Sequence, residues 1–479
     1  MRDAPDRDRR RLLRTLGASA IAAGLAGCSD DSGDDNTETA GTTTGATPTA
    51  DADTDREDDS DEETDGPLSV VTKLSSAQGE RKEQFGDRVA LSADGSTALV
   101  GASQENEQSE DPGADTGWAY VFTRSDGTWT QETQLSPPDD GGASSFGYAV
   151  ALSADGTTAL VGDYESGDPD GDGRTGAAYR FERAGGDWSF EGRLMRDTPR
   201  NSDGFGNSVA LSNAGDVAVI GAAGATFVSS NQLGAFFVFE RSDGGWEQTY
   251  FDAQSSETDG FGQAVALSGA GDVVLVAAPA VDEPNGADSG TVSVYERTEE
   301  GWSFATTVAP EDGESSEQFG SNAAGTSLAL SDDGTRAIVG CFRDDAGNEF
   351  GTGSAYVFEQ SDDGWRQQAK LVADDGGYSD QFGNAVALSD GGDLALVGAH
   401  RDDVGDTDAW EQGSAYVFEY ADDSWSQVNK LVASEGDDEG DKFGSDVALG
   451  DSGNVALAGA EEDADPNGLV GGSAYVFER

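Results

Sequence analysis

The chain has 479 residues, with 93 Asp plus Glu against 28 Lys plus Arg and a formal net charge of -65 at pH 7. A balance of that sign and size excludes nucleic acid and anionic membrane surfaces as partners. One histidine and two cysteines exclude a histidine-cluster zinc site and a disulfide framework, so the fold must rest on the short apolar runs in which its hydrophobic residues gather.

Residues 1–28 have the layout of an export signal: a basic segment, a short apolar segment and a small-residue stop. Arg9 and Arg10 open the run Arg9-Arg10-Arg11-Leu12-Leu13-Arg14, which resembles the twin-arginine export motif. Leu16 to Gly27 is too short to span a bilayer. It ends in Leu25-Ala26-Gly27-Cys28, which resembles a lipobox and implies lipidation of Cys28, so that the protein would meet the membrane only through its lipid anchor, on the extracellular face. The competing reading makes Cys28 a small residue after a cleavage site. Residues 29–67 are Asp, Glu, Thr, Gly and Ala without hydrophobic periodicity, the composition of a disordered acidic tether.

From residue 68 the sequence repeats with a period of about 60. Phe-Gly recurs at Phe85, Phe146, Phe205, Phe261, Phe319, Phe382 and Phe443. Each copy continues with an apolar run, a tight turn such as Asp94-Gly95, a second apolar run, a longer acidic stretch, a third run like Ala355 to Glu359, and a fourth run opening on Trp. Four short strands make one antiparallel blade. Trp129, Trp188, Trp246, Trp302, Trp365 and Trp425 share one position and read as packing between adjacent blades. The seventh copy stops after its third run, and Leu68 to Leu74 aligns with the fourth run Trp425 to Leu431. The expectation is an all-β fold, a seven-bladed propeller closed by an N-terminal strand.

Phe-Gly and the later Val-Gly-Ala resemble the FG-GAP repeat family, whose best-known members are the propellers of integrin α-subunits; the resemblance covers residues 68–479. It implies a calcium loop between the first and second strands, from which this chain departs, because its turns there, Ser92 to Thr97 for instance, are too short to wrap a cation. Alternating carboxylates appear instead between the second and third strands, at Asp168, Asp170 and Asp172 and at Asp463, Asp465 and Asn467. These are the candidate metal ligands and calcium the candidate cofactor, with a solvated acidic loop as the preferred alternative. Cys341 replaces the Ala of Val-Gly-Ala and reads as a buried structural thiol, and His400, just after the same motif, reads as exposed.

Strand alternation puts all the long loops on one face of the ring, where binding residues concentrate. Trp118 and Trp410 lie at that rim outside the repeated Trp position and are the candidate ligand contacts. No catalytic residue stands out. The expected function is a lipid-anchored binding or adhesion module, monomeric, whose long-loop face takes a protein, a glycan or a surface-layer component. An extracellular polysaccharide lyase or hydrolase with an acidic cleft, and a structural envelope component, are the alternatives. The acidic, lysine-poor composition resembles that of proteins from salt-loving archaea, in which brine screens the repulsion.

Overall fold

The computed structural model describes residues 66–77, 84–103, 117–138, 145–167, 173–225, 234–253, 260–282, 284–321, 326–346, 350–404, 411–433, 440–463 and 471–479. They form seven four-stranded antiparallel sheets arranged as a propeller ring. The export signal, Arg9, Arg10 and Cys28 included, and the tether up to residue 65 lie outside the described residues.

Blade I shows how the repeat folds. Its strands, from the axis outward, are Phe85–Leu91, Thr97–Ala102, Trp118–Ser125 and Thr128–Leu135. The second strand is buried on both faces, which is why it reads as an unbroken apolar run. In the first turn the Thr97 N–H donates to Ser92 Oγ at 2.9 Å and the Ser96 N–H to Asp94 Oδ1 at 2.9 Å. Blades II to VI span 149–194, 205–253, 265–308, 328–371 and 386–431. Blade VII takes three strands from 443–478 and its outermost strand from Ser69–Leu74, which pairs antiparallel with Ser473–Glu478. The expected strand exchange closes the ring.

The apolar core is divided into seven clusters, each drawn from two consecutive blades, with the last joining blades VII and I. All six repeated tryptophans pack toward the preceding blade. Trp302 Nε1 donates to Glu240 of blade III at 3.1 Å, and Trp425 Nε1 to Gln368 of blade V at 2.9 Å. In blade VII the buried Leu68 takes this place, against the core shared with blade VI.

Phe-Gly is the joint between blades. The Phe85 ring packs on Tyr120 and Phe122, with centroids 5.3 and 5.8 Å away. Gly86 follows with φ +90°, and a Cβ there would stand 2.1 Å from the Ser473 carbonyl oxygen of blade VII. The glycine of the second strand meets the same seam from the other side: a Cβ on Gly459 would lie 1.9 Å from Gly86 O. Both glycines are needed because two backbones touch.

At the turn end of the axis the blades are sewn by a circle of backbone hydrogen bonds. Ala93 N donates to Ala154 O at 3.0 Å, Ala154 N to Asn213 O at 3.1 Å, and Asn213 N to Gly269 O at 2.9 Å. The circle continues from Ala270 N to Asp332 O, Asp332 N to Asp390 O and Asp390 N to Asp451 O, and returns from Asp451 N to Ala93 O at 2.9 Å.

Blade V departs from the repeat. Phe319 to Leu330 is twelve residues where Phe382 to Leu388 is seven. At the end of this insertion, Thr326 N donates to Asp446 Oδ1 of blade VII at 3.1 Å and Thr326 O accepts from Val386 N of blade VI at 2.7 Å. Asp446 Oδ2 in turn accepts from Val89 N of blade I at 2.9 Å. One buried carboxylate thus ties blades I, V and VII together.

Candidate functional site

At the long-loop end of the axis there is a cavity of about 470 Å³, lined by residues of blades IV to VII. Gln263, Gln318, Gln381 and Lys442 reach it from the start of the innermost strands. Arg343, His400, Arg401 and Glu461 reach it from just beyond the second strands. Residues some 60 positions apart converge there because successive blades place equivalent positions side by side around the axis.

The charges around this cavity are unevenly spent. Lys442 Nζ pairs with Glu461 at 3.0 Å and with Glu462 at 2.6 Å. Burial works against its charge, but Glu461 and Glu462 outweigh burial and raise its pKa. Arg401 approaches Glu411 only to 3.8 Å, and its Nε has no partner. Arg343 is exposed and makes no ion pair among the described residues. His400, expected at the surface, is 3% exposed, its main-chain N–H donating to Asn384 Oδ1 at 3.2 Å. It follows the buried second strand, so the ring is carried inward. Burial first, then the charges of Arg401 and Lys442, pushes its pKa down to about 3, which leaves it neutral. Its Nδ1 has no hydrogen-bond partner.

Beside the cavity on the same face stands an exposed aromatic pair. Phe350 is 66% exposed and Tyr378 51%, with ring centroids 6.1 Å apart. The segments carrying them are held by Ser379 N to Phe350 O at 3.0 Å and Gln381 N to Gly351 O at 3.1 Å, and Gln381 lines the cavity.

The sequence-derived candidates lie elsewhere. Trp118 is the first residue of its strand and is half-buried against the core between blades VII and I. Asp463 is 3% exposed, and its Oδ2 carries Lys73 Nζ at 2.9 Å and accepts the Tyr475 hydroxyl at 2.7 Å. The same node recurs as Asp402 with Lys430 at 2.7 Å and Tyr416 at 2.8 Å, and as Asp344 with Lys370 at 2.6 Å and Tyr356 at 3.0 Å. The Asp463 carboxylate thus carries an ammonium and a hydroxyl. Asp168, Asp170, Asp172, Asp465, Asn467 and Trp410 fall outside the described residues. Among the described residues no cluster of three or more His, Cys, Asp or Glu is arranged to hold a metal. Cys341 is fully buried, and burial, with Glu317 and Asp344 nearby, pushes its thiol pKa well up, as suits a structural residue.

Sequence reasoning missed the cavity and the insertion of blade V. The insertion was visible as the one Phe-Gly copy with extra residues before Leu-Ala-Leu. The Asp-Tyr-Lys node was visible in two repeats, at Asp344, Tyr356 and Lys370 and at Asp402, Tyr416 and Lys430, while the lysine of the third comes from the N-terminal strand.

Comparison with curated proteins gave no match. The profile of the FG-GAP repeat matches residues 68–122, 129–181, 188–239, 302–358, 365–418 and 425–477, well over half of the chain. Each match runs from the outermost strand of one blade to the third strand of the next. The repeat left unmatched is that of blade IV, in which Ala277 and Pro279 break the Val-Gly-Ala run and Val292-Ser293-Val294 replaces Ala-Tyr-Val. Its sheet is nonetheless complete. With six matched repeats and seven blades, the chain belongs to the FG-GAP repeat family.

Proposed function

We propose that the protein is a binding module of the cell surface, held outside the membrane by a lipid on Cys28 and engaging a glycan or another envelope component through the long-loop face of its propeller. The observation that carries this reading is the exposed Phe350 and Tyr378 pair beside a polar cavity on that face. Exposed aromatics next to convergent polar groups are what a recognition surface requires. The opposite end, by contrast, is closed by tight hairpins bonded to one another. The full acidic tether would give the face reach from the membrane.

The test immobilises the full chain and challenges it with purified envelope polysaccharides and surface-layer glycans. Retention of one of them by the native protein, with at least tenfold weaker retention by Phe350→Ala and Tyr378→Ala, is expected. Retention of none, or retention indifferent to both substitutions, would overturn the reading. Cys28→Ser would release the protein into the medium if the anchor is a lipid on that residue.

A further inference from the structure

We infer that the axial cavity is an acidic-sugar site, in which Arg343 and Arg401 hold the sugar carboxylate and the glutamine amides hold its hydroxyls. The inference rests on the binding role proposed above and names the ligand chemistry of the same face.

Charge at this end of the axis runs against that of the chain. The chain as a whole carries 93 acidic and 28 basic residues. Around this one cavity the proportion is reversed: among the described residues Arg343, Arg401 and Lys442 line it with Glu461 as the sole carboxylate. Lys442 is already spent on Glu461 and Glu462. Arg401 is only loosely engaged, and Arg343 has no ionic partner among the described residues. Two guanidinium groups lining one cavity favour a planar oxyanion, which their forked donors match.

The neutral lining suits a sugar. Gln263, Gln318 and Gln381 come from three different blades, and Ser321 adds a hydroxyl. Amides both donate and accept, so they suit sugar hydroxyls. The imidazole of His400 lines the cavity, is neutral, and leaves Nδ1 without a partner. A buried polar atom left unpaired is costly, a demand that a ligand hydroxyl donating to the ring nitrogen would relieve. The volume of about 470 Å³ falls within the roughly 300–1,000 Å³ of small-molecule clefts. Phe350 and Tyr378, on the flank of Gln381, offer ring faces on which a longer saccharide would continue.

The single histidine makes the test direct. The full chain, labelled with carbon-13 at the histidine Cε1 alone, gives one ring resonance, and that resonance belongs to the cavity. Titration with glucuronate is expected to shift it saturably, while glucose at the same concentrations leaves it in place and inorganic sulfate binds at least tenfold more weakly. Arg343→Gln, at an exposed position that tolerates the change, and Arg401→Gln should each raise the glucuronate Kd at least tenfold. A resonance that does not move, glucose acting as well as glucuronate, or a Kd unchanged in Arg343→Gln would overturn the site. Sulfate binding as tightly as glucuronate would overturn the sugar and leave only an anion hole. The polysaccharide retention that depends on Phe350 and Tyr378 is a separate readout, so the cavity can fail while the recognition face stands.

Discussion

Lys73, on the strand that the N-terminal end of the propeller lends to blade VII, places its ammonium 2.9 Å from the Asp463 carboxylate, just beyond the second strand of that blade. The equivalent lysines of blades V and VI, Lys370 and Lys430, reach their aspartates from within the same sheet. Only Lys73 uses the contact to fasten a strand from the far end of the sequence.

Replacing Lys73 by Ala therefore leaves a nearly buried carboxylate with only its tyrosine donor. Lys73 keeps about a quarter of its side-chain surface in water, so the loss is set between those of buried and exposed pairs, about 2 kcal/mol. Arg366→Ala, at a pair with Glu359 whose arginine is 68% exposed, is expected to cost under about 0.5 kcal/mol. Equilibrium denaturation of the two variants, side by side, checks the difference.

Two glycines that share a positive φ should respond unequally. Gly86 and Gly127 both have positive φ, but a Cβ at Gly86 meets the Ser473 carbonyl oxygen at 2.1 Å and one at Gly127 meets nothing within 4 Å. Gly127→Ala should lose about 1 kcal/mol, the backbone term alone. Gly86→Ala must also part blades I and VII, and is expected to lower the yield of folded protein or cost more than about 3 kcal/mol. A Gly86→Ala variant melting with Gly127→Ala would show that the seam is loose.

Stability should fall as pH rises from 5 to 8. Burial, with Asp344 nearby, pushes the Glu317 carboxyl up to about 7, and burial, with Asp402 and Asp403, does the same to Asp380. Both groups are protonated in the folded chain at pH values where the unfolded chain has already ionised. Their contribution is complete below pH 4 and is lost as pH climbs through 7. His400 works the other way, since its folded pKa of about 3 lies below the unfolded value and its contribution drains as pH falls from 6.5. Thermal melts should show a shallower decline with pH in the double variant Glu317→Gln, Asp380→Asn, and a steeper one in His400→Gln.

Asp446 accepts backbone N–H groups from Val89 and Thr326, in blades I and V, and lies near the buried Arg88. Asp446→Ala would orphan both donors and remove a countercharge of Arg88, a loss of about 3–5 kcal/mol. Asp446→Asn keeps one acceptor and should lose less. Hydrogen exchange of the Val89 and Thr326 amides would rise in both variants, most in the alanine.

The blades were legible in the sequence because local physics writes them: two-residue turns, apolar runs of strand length and a glycine wherever two backbones touch, repeated seven times. The strand exchange was legible for the same reason, since Leu68 to Leu74 carries the pattern of a fourth strand. The cavity was not. Arg343, Arg401 and Lys442 are scattered cations in three separate repeats, and only the side-by-side placing of blades V, VI and VII brings them to one cavity. His400 misled because a lone histidine beside a long acidic loop looks solvated, while its fully buried predecessor Ala399 belongs to the strand that fixes its direction. The partner of Asp463 was not legible either, because Lys73 lies some 390 positions earlier.

The circle from Ala93 through Asp332 and back by way of Asp451 has a bearing on how the molecule is made. Six of its links join neighbours in the order in which a ribosome delivers them, so those blades can dock one after another during synthesis. The seventh link, Asp451 to Ala93, must wait for the final blade. Until then the Ala93 carbonyl lacks its donor and the strand Ser69–Leu74 lacks its partner Ser473–Glu478, and that unpaired strand is the place where a second nascent chain could be captured by mistake.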